Sequence, residues 1–126
     1  MVEVFLKDLA FARSGDKGDV SNIGLMAKSP RIFEFLREAI TPELVKTHFK
    51  GMVQGEVEIY PMPNIHSLCI VLRRGLGGGA TSTLRFDQTG KSMGQALLRL
   101  KLLVKESLLE EARSVDREII RRYRRL

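Results

Sequence analysis

The chain is poor in the residues that small proteins use for covalent or metal staples. It has one cysteine, two histidines and no tryptophan among 126 residues. Cys69 has no partner for an internal disulfide, and His48 and His66 stand too far apart in sequence for the close pairs that bind zinc. No bound metal is expected, since Asp16, Asp19 and Asn22 also lack the alternate-residue spacing of a calcium loop. Long apolar runs are missing too. Even Leu97 to Val104 is interrupted by Arg99 and Lys101, well short of the ~20 apolar residues needed to cross a bilayer. No membrane segment is expected. No cationic stretch followed by an apolar run and a small-residue cleavage site opens the chain, so the cytoplasm is the expected compartment.

The remaining composition is that of one globular domain, with 44% hydrophobic and 29% charged residues. A chain of this size buries roughly two-thirds of its unfolded surface and needs no staple. The net charge of +6 raises the question of nucleic acid, but its distribution argues against that partner. Six arginines (Arg113, Arg117, Arg121, Arg122, Arg124, Arg125) stand against Asp116 and Glu118 in the last fourteen residues, so that segment carries +4 and residues 1–112 only +2. A near-neutral body with 6% aromatics offers little for backbone tracking or base stacking.

Periodicity divides the chain into short elements. Val2 to Ala12 suits a strand with one buried face, Arg13 to Asp19 an exposed polar loop, and Asn22 to Ala27 a second strand. Ser29-Pro30 and Thr41-Pro42 each set a hydroxyl at a helix N-cap and proline at the first helical position. The spacing of Ile32, Phe33 and Leu36, and of Leu44, Val45, His48 and Phe49, gives each helix one apolar face. Glu56 to Tyr60 alternates as a half-buried strand closed by Pro61 and Pro63. Ser67 to Leu72 reads as a central strand covered on both faces. Ser92 and Gln95, then Ser107 and Glu110, have capping-box spacing before further helices. The last carries a stripe of Leu108, Ala112, Val115, Ile119, Tyr123 and Leu126. The expected fold is α+β: a sheet with helices packed on one face, plus a C-terminal amphipathic helix. The expected division is 1–104 for the main domain and 105–126 for the basic helix.

Two polar, glycine-rich segments stand out. The first, Ala12-Arg-Ser-Gly-Asp-Lys-Gly-Asp-Val-Ser-Asn-Ile-Gly24, offers Arg13, Ser14, Asp16, Lys17 and Asn22 as ligand contacts on a turn after a strand. The same residues also serve a plain turn. The second, Leu76-Gly-Gly-Gly-Ala-Thr-Ser-Thr-Leu-Arg-Phe-Asp-Gln-Thr-Gly-Lys91, offers an anion nest from Gly77, Gly78, Gly79, Thr81, Ser82 and Arg85, or close backbone packing. Gly75-x-Gly77-x-x-Ala80 fits a dinucleotide fingerprint only literally, because no acidic residue stands in 95–105 and no strand follows there. Thr89-Gly-Lys-Ser92 lacks the glycine a P-loop requires where Arg85 stands. No serine has a nucleophile elbow, and Cys69 falls in a strand where burial suppresses a thiolate. His66 is a candidate acid or base near the second segment.

Both segments, with Pro63-Asn-Ile between them and Gly94-Gln-Ala-Leu-Leu98 after them, resemble the signatures of AtuA-like proteins of acyclic terpene utilisation. They are similar to the C-terminal ferredoxin-like domain of that family, fused to a larger AtuA domain in some members and separate in others. The resemblance runs from about Val4 to about Leu103. It implies a ferredoxin-like fold and a larger AtuA-type subunit as partner, with the two segments completing a site for an anionic or acyl-thioester substrate. It names neither a reaction nor a cofactor. The C-terminal helix lies beyond the resemblance, and its apolar stripe fits self-association into a homo-oligomer or docking on the partner.

Overall fold

The computed structural model describes residues 1–17, 20–49, 53, 55–73 and 93–124, with the side chains of Asp16, Lys17 and Arg124 excepted. The order is β1 (Val2–Phe5), a 3-10 turn (Leu6–Asp8), β2 (Ala10–Lys17), β3 (Val20–Ala27), α1 (Pro30–Ala39), α2 (Pro42–Phe49) and β4 (Val57–Met62). After a second 3-10 turn (Pro63–Ile65) come β5 (Ser67–Arg73), helical residues 93–97 (α3), β6 (Lys101–Val104) and α4 (Glu106–Arg124). This is the expected α+β, ferredoxin-like arrangement with an added C-terminal helix.

The main sheet is antiparallel throughout, in the order β2-β3-β5-β4, and β1 pairs with β6 in a separate two-stranded sheet. Register sets Ile23 opposite Ile70, Leu25 opposite Leu68, and Leu72 opposite Val57. Directly opposed residues share a face, so these six form one apolar surface. It is buried beneath Ile32, Phe33 and Leu36 of α1 and Val45 and Phe49 of α2. Leu6, Leu9, Leu97, Leu100 and Val104 extend the same core toward the small sheet.

Both helix starts behave as their sequences require. Ser29 Oγ accepts from Ile32 N at 3.1 Å and Thr41 Oγ1 from Leu44 N at 3.1 Å. Ser29 Oγ also donates to Glu111 of α4. Next to it, the Lys28 side chain is only 5% exposed and its ammonium lies 2.9 Å from Asp116 Oδ2. These contacts lock α4 to the junction of β3 and α1. Leu108 and Ala112 of α4 are buried in the core, whereas Tyr123 at its far end is 72% exposed.

Several elements differ from expectation. The opening strand is broken at Leu6–Asp8, where Leu6 N bonds to Leu100 O and Lys7 N to Leu98 O, so the chain crosses from the small sheet to the large one. The polar stretch expected as a loop is strand as far as Lys17, because β3 supplies a full ladder of partners from Ala10↔Ala27 to Lys17↔Val20. Pro61 lies within β4 rather than closing it. That strand is a sheet edge, where a missing N–H costs no ladder bond. β5 is central, but among the described residues the helices cover one face only; on the other Cys69 and Val71 are half-buried. α4 begins at Glu106, ahead of the expected Ser107 cap, and Ser107 Oγ instead accepts from Arg31.

Two fold positions carry testable costs. Ser29→Ala removes the α1 cap and the bond to Glu111 together and is expected to cost about 1–2 kcal/mol in urea unfolding. A Cβ added at Gly55 would stand 2.5 Å from the Arg73 carbonyl oxygen, so Gly55→Ala is expected to cost about 1–3 kcal/mol by the same measurement.

Candidate functional site

The β2–β3 hairpin carries the first polar segment, and its two-residue period separates the candidates. Arg13 and Asn22 are exposed on the outer face of the sheet, away from the helices. Ser14, opposite Ile23, belongs to the helix side and is half-buried. Asp16 and Lys17 occupy register positions opposite Ser21 and Val20 near the hairpin tip. Ser21 is fully buried, and its hydroxyl donates to the Gly15 carbonyl at 3.2 Å. That bond reinforces the end of the hairpin from inside.

Gly77, Gly78, Gly79, Thr81, Ser82 and Arg85 of the second segment lie outside the described residues, as do Ser92 and Leu126 of the helix readings. The flanks of the second segment are described, and both meet the hairpin. Upstream, Arg73 is the register partner of Val20. Downstream, Gly94 in α3 lies against Ser14, where an added Cβ would be 3.2 Å from Ser14 Oγ and 3.3 Å from its Cβ. A side chain there would fit only if Ser14 gave by a few tenths of an ångström. The described residues on either side of 74–92 thus both stand against the β2–β3 hairpin.

His66, the candidate acid or base, closes the second 3-10 turn. It adopts a left-handed conformation (φ 49°) at the end of the Pro63–Ile65 turn, and its ring packs edge-on to Phe33 with centroids 5.9 Å apart. Its carbonyl accepts from Ala27 N. His48 is structural as well, with Nε2 donating to the Ala96 carbonyl at 2.8 Å. Among the described residues no group of three or more His, Cys, Asp or Glu is set to hold a metal ion, and no helix is long and apolar enough to cross a membrane.

A family model described as the AtuA ferredoxin-like domain matches residues 4–103. The chain belongs to that family. No curated protein and no solved structure matches it significantly. In this AtuA ferredoxin-like domain the match spans both polar segments and ends before α4, where Arg113, Arg117, Arg121 and Arg122 are exposed and paired within the helix. Arg113 and Arg117 approach Glu110, while Arg121 and Arg122 approach Glu118 at 3.5 Å.

One polar cluster has no counterpart among the sequence candidates. On the outer face Arg73 donates to Glu58 through Nε at 3.1 Å and through a terminal nitrogen at 3.3 Å, and the Tyr60 hydroxyl donates to Glu58 at 2.8 Å. Its signal in the sequence was the alternation Glu58-x-Tyr60, but the arginine partner depends on the β4–β5 register. The Arg73 hydrogen bonds, aided by the Tyr60 hydroxyl, hold the Glu58 carboxyl below its ordinary value of 4.5. The Tyr60 phenol is raised above 10.0 because it donates to that carboxylate. Glu58 therefore contributes stability above its unfolded-state value that is lost as pH falls through the lowered one. Tyr60 contributes stability lost as pH rises through the raised one. In an NMR titration, Arg73→Gln is expected to move the Glu58 midpoint up toward 4.5, and Glu58→Gln to move Tyr60 down toward 10.0.

Proposed function

We propose that this domain is a component of an AtuA-type assembly and completes, with a larger AtuA-type subunit, a site for an anionic or acyl-thioester substrate. The observation that supports this reading is that the described flanks of the second segment, Arg73 opposite Val20 and Gly94 against Ser14, both lie on the hairpin that carries the first. A glycine-rich segment with Thr81, Ser82, Thr83 and Arg85 supplies backbone N–H groups, hydroxyls and a cation, the donor set that an oxyanion or phosphate requires. Arg13, Asp16, Lys17 and Asn22 stand on the adjoining hairpin. In this reading the larger subunit carries the reaction, and this domain supplies orientation and charge neutralisation.

A second reading, an assembly module without a ligand of its own, is favoured by α4. Its stripe continues past the buried Ala112 to Ile120 and Tyr123, which are 52% and 72% exposed. Such a surface is suited to docking on the larger subunit or to self-association.

Co-expression with an AtuA-type protein lacking its own C-terminal domain separates the two readings. Lys17→Ala and Arg85→Ala are expected to leave the purified complex intact while reducing turnover at least tenfold, about 1.4 kcal/mol in transition-state binding. Loss of the complex in those variants would favour the assembly reading, and turnover by the isolated chain would overturn the first.

A further inference from the structure

The 3-10 turn after β1 and the end of α3 enclose a recess. Leu6 N donates to the Leu100 carbonyl at 2.7 Å and Lys7 N to the Leu98 carbonyl at 3.0 Å, which fixes the two pieces of chain side by side. Gln95, Leu98 and Arg99 have the i, i+3, i+4 spacing that sets side chains on one side of a helical turn. Together with Phe5 and Lys7 they line a volume of about 390 Å³.

The charge around this recess is one-sided. Among the described residues, Lys7 and Arg99 have no carboxylate within ion-pair distance. Lys101, the register partner of Phe5, adds a third cation, and the Lys7 and Lys101 ammoniums lie 5.5 and 5.7 Å from the centre of the Phe5 ring. The nearby acids are engaged: Asp8 Oδ2 accepts from Phe5 N at 3.0 Å, and Glu3 stands 4.0 Å from Lys101. Carbonyls at the end of α3, which would repel an anion, are occupied as well. Ala96 accepts from Arg99 N and His48, Leu97 from Leu100 N, and Leu98 from Lys7 N. Three cations around one exposed ring repel one another, and an anion seated among them removes that repulsion.

The recess is also too large for a bare ion, which would leave most of it to water at about 30 Å³ per molecule. Its other wall is apolar, formed by Leu98 and by Phe5, whose side of the small sheet leaves it 39% exposed. A flat ring fits that wall, and a phosphate monoester, carrying close to two charges, matches the paired cations and the guanidinium fork better than a carboxylate does. We propose that this recess binds a small phosphate monoester bearing an aromatic ring, the chemistry of a mononucleotide. Lys7 and Arg99 hold the phosphate, Gln95 donates to the ligand, and Phe5 with Leu98 carries the ring. No residue is shared with the substrate-site proposal, so each stands or falls separately.

An NMR titration of the isotope-labelled full chain with adenosine monophosphate tests it. Saturable amide shifts are expected at Phe5, Lys7, Gln95, Leu98 and Arg99, with a Kd below about 1 mM. Inorganic phosphate and adenosine, each lacking one half of the ligand, are expected to bind at least about tenfold more weakly. Lys7→Gln and Arg99→Gln, both at exposed positions, are each expected to weaken binding about tenfold, and either carries the test should the other fail to fold. Phe5→Leu is expected to weaken adenosine monophosphate and leave inorganic phosphate unchanged. No saturation at that concentration would overturn the proposal, as would inorganic phosphate binding as tightly as the nucleotide. Unchanged affinity in both Lys7→Gln and Arg99→Gln, or shifts confined to the hairpin around Arg13 and Asn22, would overturn it too.

Discussion

The registry of β3 between its two neighbours is the constraint on which the arrangement turns. Ile23 and Leu25 are buried because they stand opposite Ile70 and Leu68 beneath the helices, and Asn22 and Met26, one residue to either side, are exposed on the opposite face. A slip of one residue would exchange the two sets and put Asn22 beneath α1. No polar side chain there could be satisfied without breaking the helix packing. Once β3 is set, β2 and β5 follow from their ladders, β4 follows β5, and the helices have a single apolar surface to cover.

The end of β3 transmits that order to the rest of the chain. Lys28 leaves the strand with its ammonium nearly buried, 2.9 Å from Asp116 and 5.1 Å from the Phe11 ring centroid. Asp116 is itself 44% exposed, so the pair is neither an ordinary surface bridge nor a fully desolvated one. Its main consequence is positional, because removing the aspartate would leave a charge with poor access to water. Ser29 adds a hydroxyl that caps α1 and binds Glu111 at once. Thus α4 is anchored by Leu108 and Ala112 from below and by two polar contacts from the side. Beyond Asp116 the helix has the same apolar period but less of the body to pack against.

Features governed by neighbours in sequence were legible from sequence, and those governed by distant strands were not. Ser29-Pro30 and Thr41-Pro42 announce helix starts because a cap is satisfied within three residues. The Arg13–Lys17 stretch reads as a loop because its polar composition is local, whereas its strand conformation comes from the β3 ladder. Its half-buried Ser14 lies against Gly94, eighty residues away, a contact that local sequence does not announce. The continuous apolar run of β5 shows the converse limit. Cys69 and Val71 are as apolar as a doubly covered strand would require, yet both are only half-buried, and among the described residues no helix covers their side of the sheet. For the site, both family segments and the hairpin candidates could be named, but the Glu58–Arg73–Tyr60 cluster needed the β4–β5 register.

The flanks of residues 74–92 show how distant parts of the sequence are brought together without a metal or disulfide. Arg73 is fixed by the β3–β5 ladder and Gly94 by its close approach to Ser14. The entropic cost of closing so long a stretch of chain is met by core packing and sheet formation. A side chain at Gly94 would meet Ser14 Oγ and Cβ, one residue from Arg13 and two from Asp16, so Ser14 would have to give by a few tenths of an ångström for it to fit.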